Sequence, residues 1–521
     1  MPGEVWSRGV HKGAYGGHAG LLYDGGPTTF EHLIAGTDAW TDRTFLVHGE
    51  RRVTYAGFRS AVAAARNMLA DRGIGVGDRL IVFGFNSPEW IVVLWAAWLH
   101  GAVPVLANRW WSDAEINHAV SVLAPRHVFS DKDFPADIAT TPLSALSAAF
   151  DAAAEPLPAP VTAADDTALV LFTSGSSGMP KAVELSRRAV IANQHNILAR
   201  NGRFPHLLDA DSPQAVSLAT TPMFHVGGLS SLLTHVLTGG RIVMAEGRFD
   251  PAEVMTLIER ERIQIWGAVP TMAVRLLAHP DFERFDLSSL KSWPLGGAPV
   301  TTDLLDRIRT ALPNLRTRGL SNTWGMTEAG GFLTAADARD LALHPGTVGR
   351  PYGVVELRVA DPDADGVGEV IARSPTVMNG YAGLPDDRTV DADGWLHTGD
   401  LGHVTDDGYL FIDGRAKDVV IRGGENIACP HVEAAIASHP GVVEVAALGV
   451  PHPDLGEELV AVVVHRADAA VTADDLRDHV TGVLSYFAIP SRWEIRADPL
   501  PTLAGEKVDK KALARAFSSQ T

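Results

Sequence analysis

Short apolar runs recur along the chain up to about residue 350, each near a stretch with helical spacing. Residues 79–84, 103–107, 126–130, 168–172, 215–219, 241–244 and 263–266 read as strands, being rich in aliphatic and β-branched side chains and short. The longest apolar run starts at Ile91 and is interrupted by His100, Gly101 and Pro104. A buried helix over 90–99 leading into the strand 103–107 explains it better than a membrane span. Residues 153–164, rich in Ala and Pro, read as a connector. This rhythm predicts an α/β fold with substantial parallel sheet.

After about residue 350 the texture changes. Residues 354–359, 368–372 and 408–412 read as short strands between Asp, Gly and Pro turns, which predicts a small β subdomain. The tail reads as a helix at 432–438, strands at 443–448 and 459–464, a helix at 474–484 and a last helix ending near Phe517. That is a compact α+β unit of ordinary domain size.

Composition narrows the function. The 521 residues are 46% hydrophobic and 20% charged, a globular make-up, and the formal net charge is −18. That acidity argues against nucleic-acid partners and against an anionic membrane surface, although it leaves local anion sites and peripheral membrane contact open. Cys429 is the single cysteine, so no intrachain disulfide can form, which fits a reducing, cytoplasmic setting. The first residues lack a charged stretch followed by an apolar one, so no signal peptide is expected. The 20 histidines show no zinc-ligand spacing.

The chemistry concentrates first at residues 173–181. Directly after the apolar run come Thr173, Ser174, Gly175, Ser176, Ser177 and Gly178, then Met179, Pro180 and Lys181. Glycines let backbone N–H groups wrap an anion, hydroxyls add donors and the lysine adds a charge. The loop therefore suits a polyphosphate. Met179 and Pro180 break the G-x-x-x-x-G-K-[ST] pattern, so an ordinary P-loop NTPase is not expected. The bland alternative is a flexible linker.

Seven further motifs follow: TPMFHVGG at 221–228, GGAP at 296–299, WGMTE at 324–328, GWLHTGD at 394–400, GRAKD at 414–418, GGENI at 423–427 and GEK at 505–507. With the loop at 173–181, in this order, they resemble the adenylate-forming superfamily of acyl-CoA synthetases, adenylation domains and luciferases. The resemblance covers nearly the whole chain and is strongest to acyl-CoA synthetases, through HTGD and GGENI. It implies a large N-terminal domain over 1–416 and a small mobile α+β domain over 417–521, pivoting at Lys417. It also implies ATP, Mg²⁺ and coenzyme A as cofactor and co-substrates.

By the same resemblance, the loop at 173–181 would hold phosphates. Gly297, Ala298, Pro299, Trp324 and Gly325 would belong to the cofactor-binding site, with Trp324 offering a flat face for adenine stacking. Thr327 would bond the α-phosphate, Glu328 would help hold Mg²⁺, and Asp400, supported by Arg415, would accept from the ribose hydroxyls. Lys507 would bridge the acyl carboxylate and α-phosphate, His225 would stand beside that carboxylate, and Gly423 and Gly424 would line the pantetheine tunnel. Each residue has a plainer reading by itself. Glu328 and Asp400 could sit in turns, Lys507 among exposed lysines, Trp324 and His225 in a core, and the two glycines in a β-turn. Two departures stand out: Glu506 separates Gly505 from Lys507, with Lys510 as the fallback in register, and tryptophan occupies position 324 where tyrosine or phenylalanine is commoner.

The expected activity is activation of a small-molecule carboxylic acid, an apolar one such as a fatty acid, to acyl-AMP and then acyl-CoA. The walls expected for the acyl group, residues 226–232, 266–270 and 296–298, contain no charge. Trp266 would either shorten that pocket or belong to the core. The rivals are loading of a carrier protein, a nucleotide-binding regulatory pseudoenzyme and a luciferase-like oxygenase.

Overall fold

The helix Pro88–His100 shows how the sequence builds the interior. Ser87 caps its start by accepting from the Trp90 amide, Pro88 occupies the first turn, and Gly101 ends it at φ 81°. Every residue from Pro88 to Leu99 is buried. In the computed structural model, which describes residues 5–151, 159–173, 179–315, 318–415, 419–422, 425–452, 455–466, 469–481, 483–484, 486–503 and 506–518, the longest apolar run is thus a core helix. Among the described residues no helix is long and apolar enough to cross a membrane.

That helix lies beside a seven-stranded sheet. From one edge the order is Gly380–Tyr381, Lys181–Ser186, Thr167–Thr173, Val103–Ala107, Arg79–Phe83, His127–Ser130 and Thr140–Pro142. The last five strands run parallel, and Lys181–Ser186 folds back antiparallel on Thr167–Thr173. A five-stranded sheet follows, ordered Ile265–Trp266, Val216–Ala219, Arg241–Met244, Thr44–His48 and Arg51–Thr54. Two four-stranded sheets complete the large domain: one contains Trp293–Gly296 and Leu320–Met326, and the other is the antiparallel set Glu356–Ala360, Gly368–Arg373, Leu396–Val404 and Leu410–Arg415. The small C-terminal domain is a mixed sheet around the long pair Val442–His452 and Gly456–His465. Its helix Cys429–Ala437 packs on that pair and buries Cys429, a structural use of the lone thiol. The large α/β domain and small α+β domain are those expected. The expected boundary at 416 and 417 lies outside the described residues.

Aromatic side chains fill the main core. Trp98 stacks on Phe30 at 4.3 Å between centroids and donates from its indole nitrogen to the Ala168 carbonyl at 2.7 Å. Its truncation opens a large cavity and leaves a buried carbonyl without its partner. Trp98→Ala is therefore expected to destabilise the large domain by about 3–5 kcal/mol, read as a lower denaturant midpoint at constant slope.

Some elements escape the sequence pattern. Val10–Tyr15 and His18–Tyr23 form a hairpin turned by Gly16 and Gly17 at φ 54° and 84°. Such a turn favours glycine, because both central residues have positive φ. Of the expected strand at 263–266, Ile265–Trp266 alone is strand, and the expected helix at 474–484 is Ala473–Val480.

Candidate active site

Strand ends and their turns bring the site together. Thr173 closes one strand and Lys181 opens its antiparallel neighbour, and the two are paired in register. The phosphate-loop residues Ser174, Gly175, Ser176, Ser177 and Gly178 between them lie outside the described residues. So do Lys417, Gly423, Gly424 and Gly505. Lys181 pairs with Asp387 at 3.1 Å and stands 4.3 Å from the Tyr381 ring centre. Burial opposes the Asp387 charge, yet hydrogen bonds with Thr389 and Lys181 hold its carboxyl below the ordinary range.

Tyr381 links this corner to the next. Its hydroxyl donates to Glu328 Oε1 at 2.8 Å. Burial, then the Glu328 charge, raise the Tyr381 pKa, so the phenol stays a donor. Glu328 lies in the single turn Thr327–Ala329 after the strand Leu320–Met326, and it is buried, not a solvated turn carboxylate. Within that strand Gly325 is sterically required, since a Cβ there would fall 2.1 Å from the Gly331 carbonyl oxygen.

Trp324 is buried, as the core-aromatic reading has it, but its edge makes a polar contact. Its indole nitrogen donates to Asp400 Oδ2 at 2.7 Å, and Arg415 Nε donates to Asp400 Oδ1 at 2.7 Å. Asp400 and Arg415 face each other across the strands Leu396–Val404 and Leu410–Arg415. A carboxylate has about four acceptor positions, so two protein donors still leave room for hydroxyl groups of a ligand.

Lys507 reaches this cleft from the small domain. Its side chain is open to solvent, and a Cβ on Gly297 would lie 3.7 Å from its Cε. The surrounding walls, then the like charge of Arg415, lower its pKa, while Asp400 and Glu328 act in the opposite direction. Lys507 is thus within electrostatic reach of both carboxylates. Lys510, the alternative, pairs with Glu433 inside the small domain at 2.7 Å.

Gly297 at φ 76°, Ala298 and Pro299 form the turn after the strand Trp293–Gly296. His225 caps the backbone start of the helix Val226–Leu237, with its ring 4.7 Å from that of Phe224. Trp266 is fully buried and donates to Thr220 Oγ1 at 3.0 Å, so it belongs to the core. A cavity opens beside the expected acyl walls, lined by Phe85, Trp110, Phe224, Phe249 and Met272 and bordered by the charged Arg248 and Glu506. Sequence reasoning missed Tyr381 and Asp387, which no local motif marks.

Among the described residues no three His, Cys, Asp or Glu side chains converge as a metal cage. Glu328, whose Oε1 accepts from Tyr381, is a carboxylate that fits Mg²⁺, which commonly takes one or two carboxylates and fills its remaining positions with phosphate and water.

Comparison with known proteins agrees with this geometry. The family model for AMP-binding enzymes matches residues 35–382, and that for their C-terminal domain matches residues 431–506. Feruloyl-CoA synthase of an Amycolatopsis species is 34% identical over 91% of this chain and 96% of its own length. Among solved structures, ATP-bound MatB from Rhodopseudomonas palustris superposes with a TM-score of 0.83 at 26% identity, covering 94% of this chain and 99% of that one. The o-succinylbenzoate CoA synthetase of Bacillus subtilis bound to its acyl-adenylate gives 0.78 at 26% identity, covering 92% and 97%. The chain belongs to the AMP-binding enzyme family, within the adenylate-forming superfamily.

Proposed function

We propose that this protein is an AMP-forming acid–thiol ligase that converts an apolar carboxylic acid, ATP and coenzyme A to acyl-CoA, AMP and pyrophosphate. The observation that carries the reading is Lys507 of the small domain standing against Gly297 of the large domain, within electrostatic reach of Glu328 and Asp400. In the first step a carboxylate oxygen attacks the α-phosphorus and the bond to pyrophosphate breaks. Both reactants are anions, so the step needs a cation placed where charge develops and a fixed in-line approach. Lys507 supplies that cation, and Thr327 donates to the α-phosphate. Asp400, oriented by Trp324 and Arg415, accepts from the ribose hydroxyls. Tyr381 orients Glu328, which would hold Mg²⁺, and the ion when bound neutralises phosphate charge. The loop 173–181 cradles the phosphates, with Lys181 at its base. In the second step the thiolate of coenzyme A attacks the acyl carbonyl carbon and AMP leaves. For that step the small domain, bounded near 416 and 417 and pivoting at Lys417, turns Gly423 and Gly424 toward the incoming pantetheine.

The acyl group is apolar because the segments beside His225, at 226–232 and 296–298, carry no charge. A fatty acid meets that condition and so does an aryl acid. The aryl reading has its own support: relatives 34% and 30% identical are named feruloyl-CoA synthase and 4-coumarate–CoA ligase. A panel of straight-chain fatty acids and aryl-propenoic acids with ATP and coenzyme A, read as acyl-CoA by mass spectrometry, tests the proposal. Acyl-CoA from an apolar member is the expected result. AMP formation with no transfer to coenzyme A would favour a carrier-protein acceptor, and no AMP from any acid would favour a pseudoenzyme.

A further inference from the structure

The helix Pro270–Leu277 of the large domain packs against the strand Val442–His452 of the small one. Arg275 stands at that join. Its Nε donates to Glu444 Oε1 at 3.0 Å, its Nη1 to Glu506 Oε2 at 2.7 Å and its Nη2 to the Leu500 carbonyl at 3.3 Å. Glu444 Oε2 in turn accepts from the Leu500 amide at 2.9 Å. One guanidinium therefore grips both ends of the segment that presents Lys507: Leu500 where it begins and Glu506 beside the lysine. The planar fork of arginine suits such a multiple grip, and lysine would not reproduce it.

Glu506 is the residue that departs from the usual Gly-Lys pattern. Its backbone sits at φ 62°, a conformation that residues other than glycine seldom hold. Its carboxylate explains why a glutamate stands there: it reaches Arg275 and lies 3.4 Å from Thr502 Oγ1. The three side chains are sheltered, at 22% exposure for Arg275, 7% for Glu444 and 20% for Glu506, so solvent screens their attraction weakly. Glu506 also borders the cavity lined by Phe85, Trp110, Phe224 and Met272, so the clasped glutamate stands at its edge.

We propose that Arg275 is a positioning residue, an interdomain clasp that acts through Glu444 and Glu506 to hold the small domain where Lys507 meets Glu328 and Asp400, and that the clasp opens before the thiol step. This rests on the reading of Lys507 given above. The extra glutamate thereby ties the catalytic lysine of one domain to the body of the other. Loss of the clasp lowers the occupancy of the adenylating arrangement and leaves the thiol step unimpeded.

The two half-reactions, measured apart on the full chain, test it. Pyrophosphate release from ATP and the best acid of the panel reports the first, and acyl-CoA formed from synthetic acyl-AMP reports the second. Arg275→Gln is expected to slow pyrophosphate release by about a hundredfold, the scale of a small misplacement of a catalytic group. It should convert acyl-AMP at least as fast as the parent. Glu506→Gly separates the clasp from simple backbone relief. It removes the strained φ together with the carboxylate, and the clasp predicts the same split with an unchanged melting temperature. Normal pyrophosphate release in both variants, or equal loss of both half-reactions at unchanged melting temperature, would overturn the proposal. Lys507→Ala run alongside keeps the two ideas separate. If it alone abolishes adenylation, the clasp fails and the reading of Lys507 stands. If it too leaves adenylation intact, that reading fails first.

Discussion

Lys507→Ala is expected to slow acyl-adenylate formation by about a hundredfold to a thousandfold, the usual effect of deleting one group that stabilises transition-state charge. The lysine comes from the small domain and stands within electrostatic reach of both Glu328 and Asp400. The walls of the cleft and Arg415 disfavour its charge, while the two carboxylates restore it. Two anions must meet in the first half-reaction, so loss of this charge falls on that step. Conversion of synthetic acyl-AMP should fall far less, since no second anion attacks the phosphorus there. Pyrophosphate release in a single turnover and acyl-CoA formation from acyl-AMP separate the two. Lys510→Ala should leave adenylation near the parent rate, because Lys510 is occupied by Glu433.

Asp400→Ala carries the second large effect. Asp400 is 4% exposed and accepts from Trp324 and Arg415 at 2.7 Å each. Its removal deletes the acceptor assigned to the ribose and leaves the Trp324 indole and the Arg415 guanidinium without their partner. Hydrogen bonds to a charged group are each worth about 1.5–3 kcal/mol, so kcat/KM for ATP should fall by about ten- to a hundredfold or more. KM for the acid should change much less. Steady-state kinetics varying ATP and acid separately read the difference. An equal rise in both KM values would place Asp400 away from the nucleotide.

Much of the fold was legible because local sequence punctuates it. The strands Val103–Ala107 and Arg241–Met244 fall on the residues read for them, since turn formers or charges bound both runs. The Pro88–His100 helix starts two residues before the apolar run suggests, because Ser87 and Pro88 supply a cap and a first turn. The hairpin Val10–Tyr23 was missed because Gly13 and Gly20 weaken its alternation; the signal that could have found it was the pair Gly16 and Gly17.

At the site, legibility followed distance along the chain. Trp324, Glu328, Asp400 and Lys507 stand inside compact motifs. Their supports do not. Tyr381 meets Glu328 across 53 residues, Asp387 meets Lys181 across 206, and Arg275 meets Glu506 across 231. No local spacing encodes such pairs, because they exist only once separate sheets and the two domains have packed. The polar role of Trp324 was hidden for the same reason. A tryptophan in sequence reads as a flat apolar face, and its N–H matters only when Asp400 arrives from another sheet.

The most direct test of the account follows one oxygen atom. The best acid of the panel is prepared with both carboxylate oxygens as oxygen-18 and turned over with ATP and coenzyme A, and the nucleotide product is weighed by mass spectrometry. Attack of the carboxylate on the α-phosphorus, followed by departure of AMP from the acyl carbon, leaves one heavy oxygen in AMP. AMP carrying that single label, with unlabelled pyrophosphate, is the predicted result. Unlabelled AMP, or ADP with labelled phosphate, would contradict it.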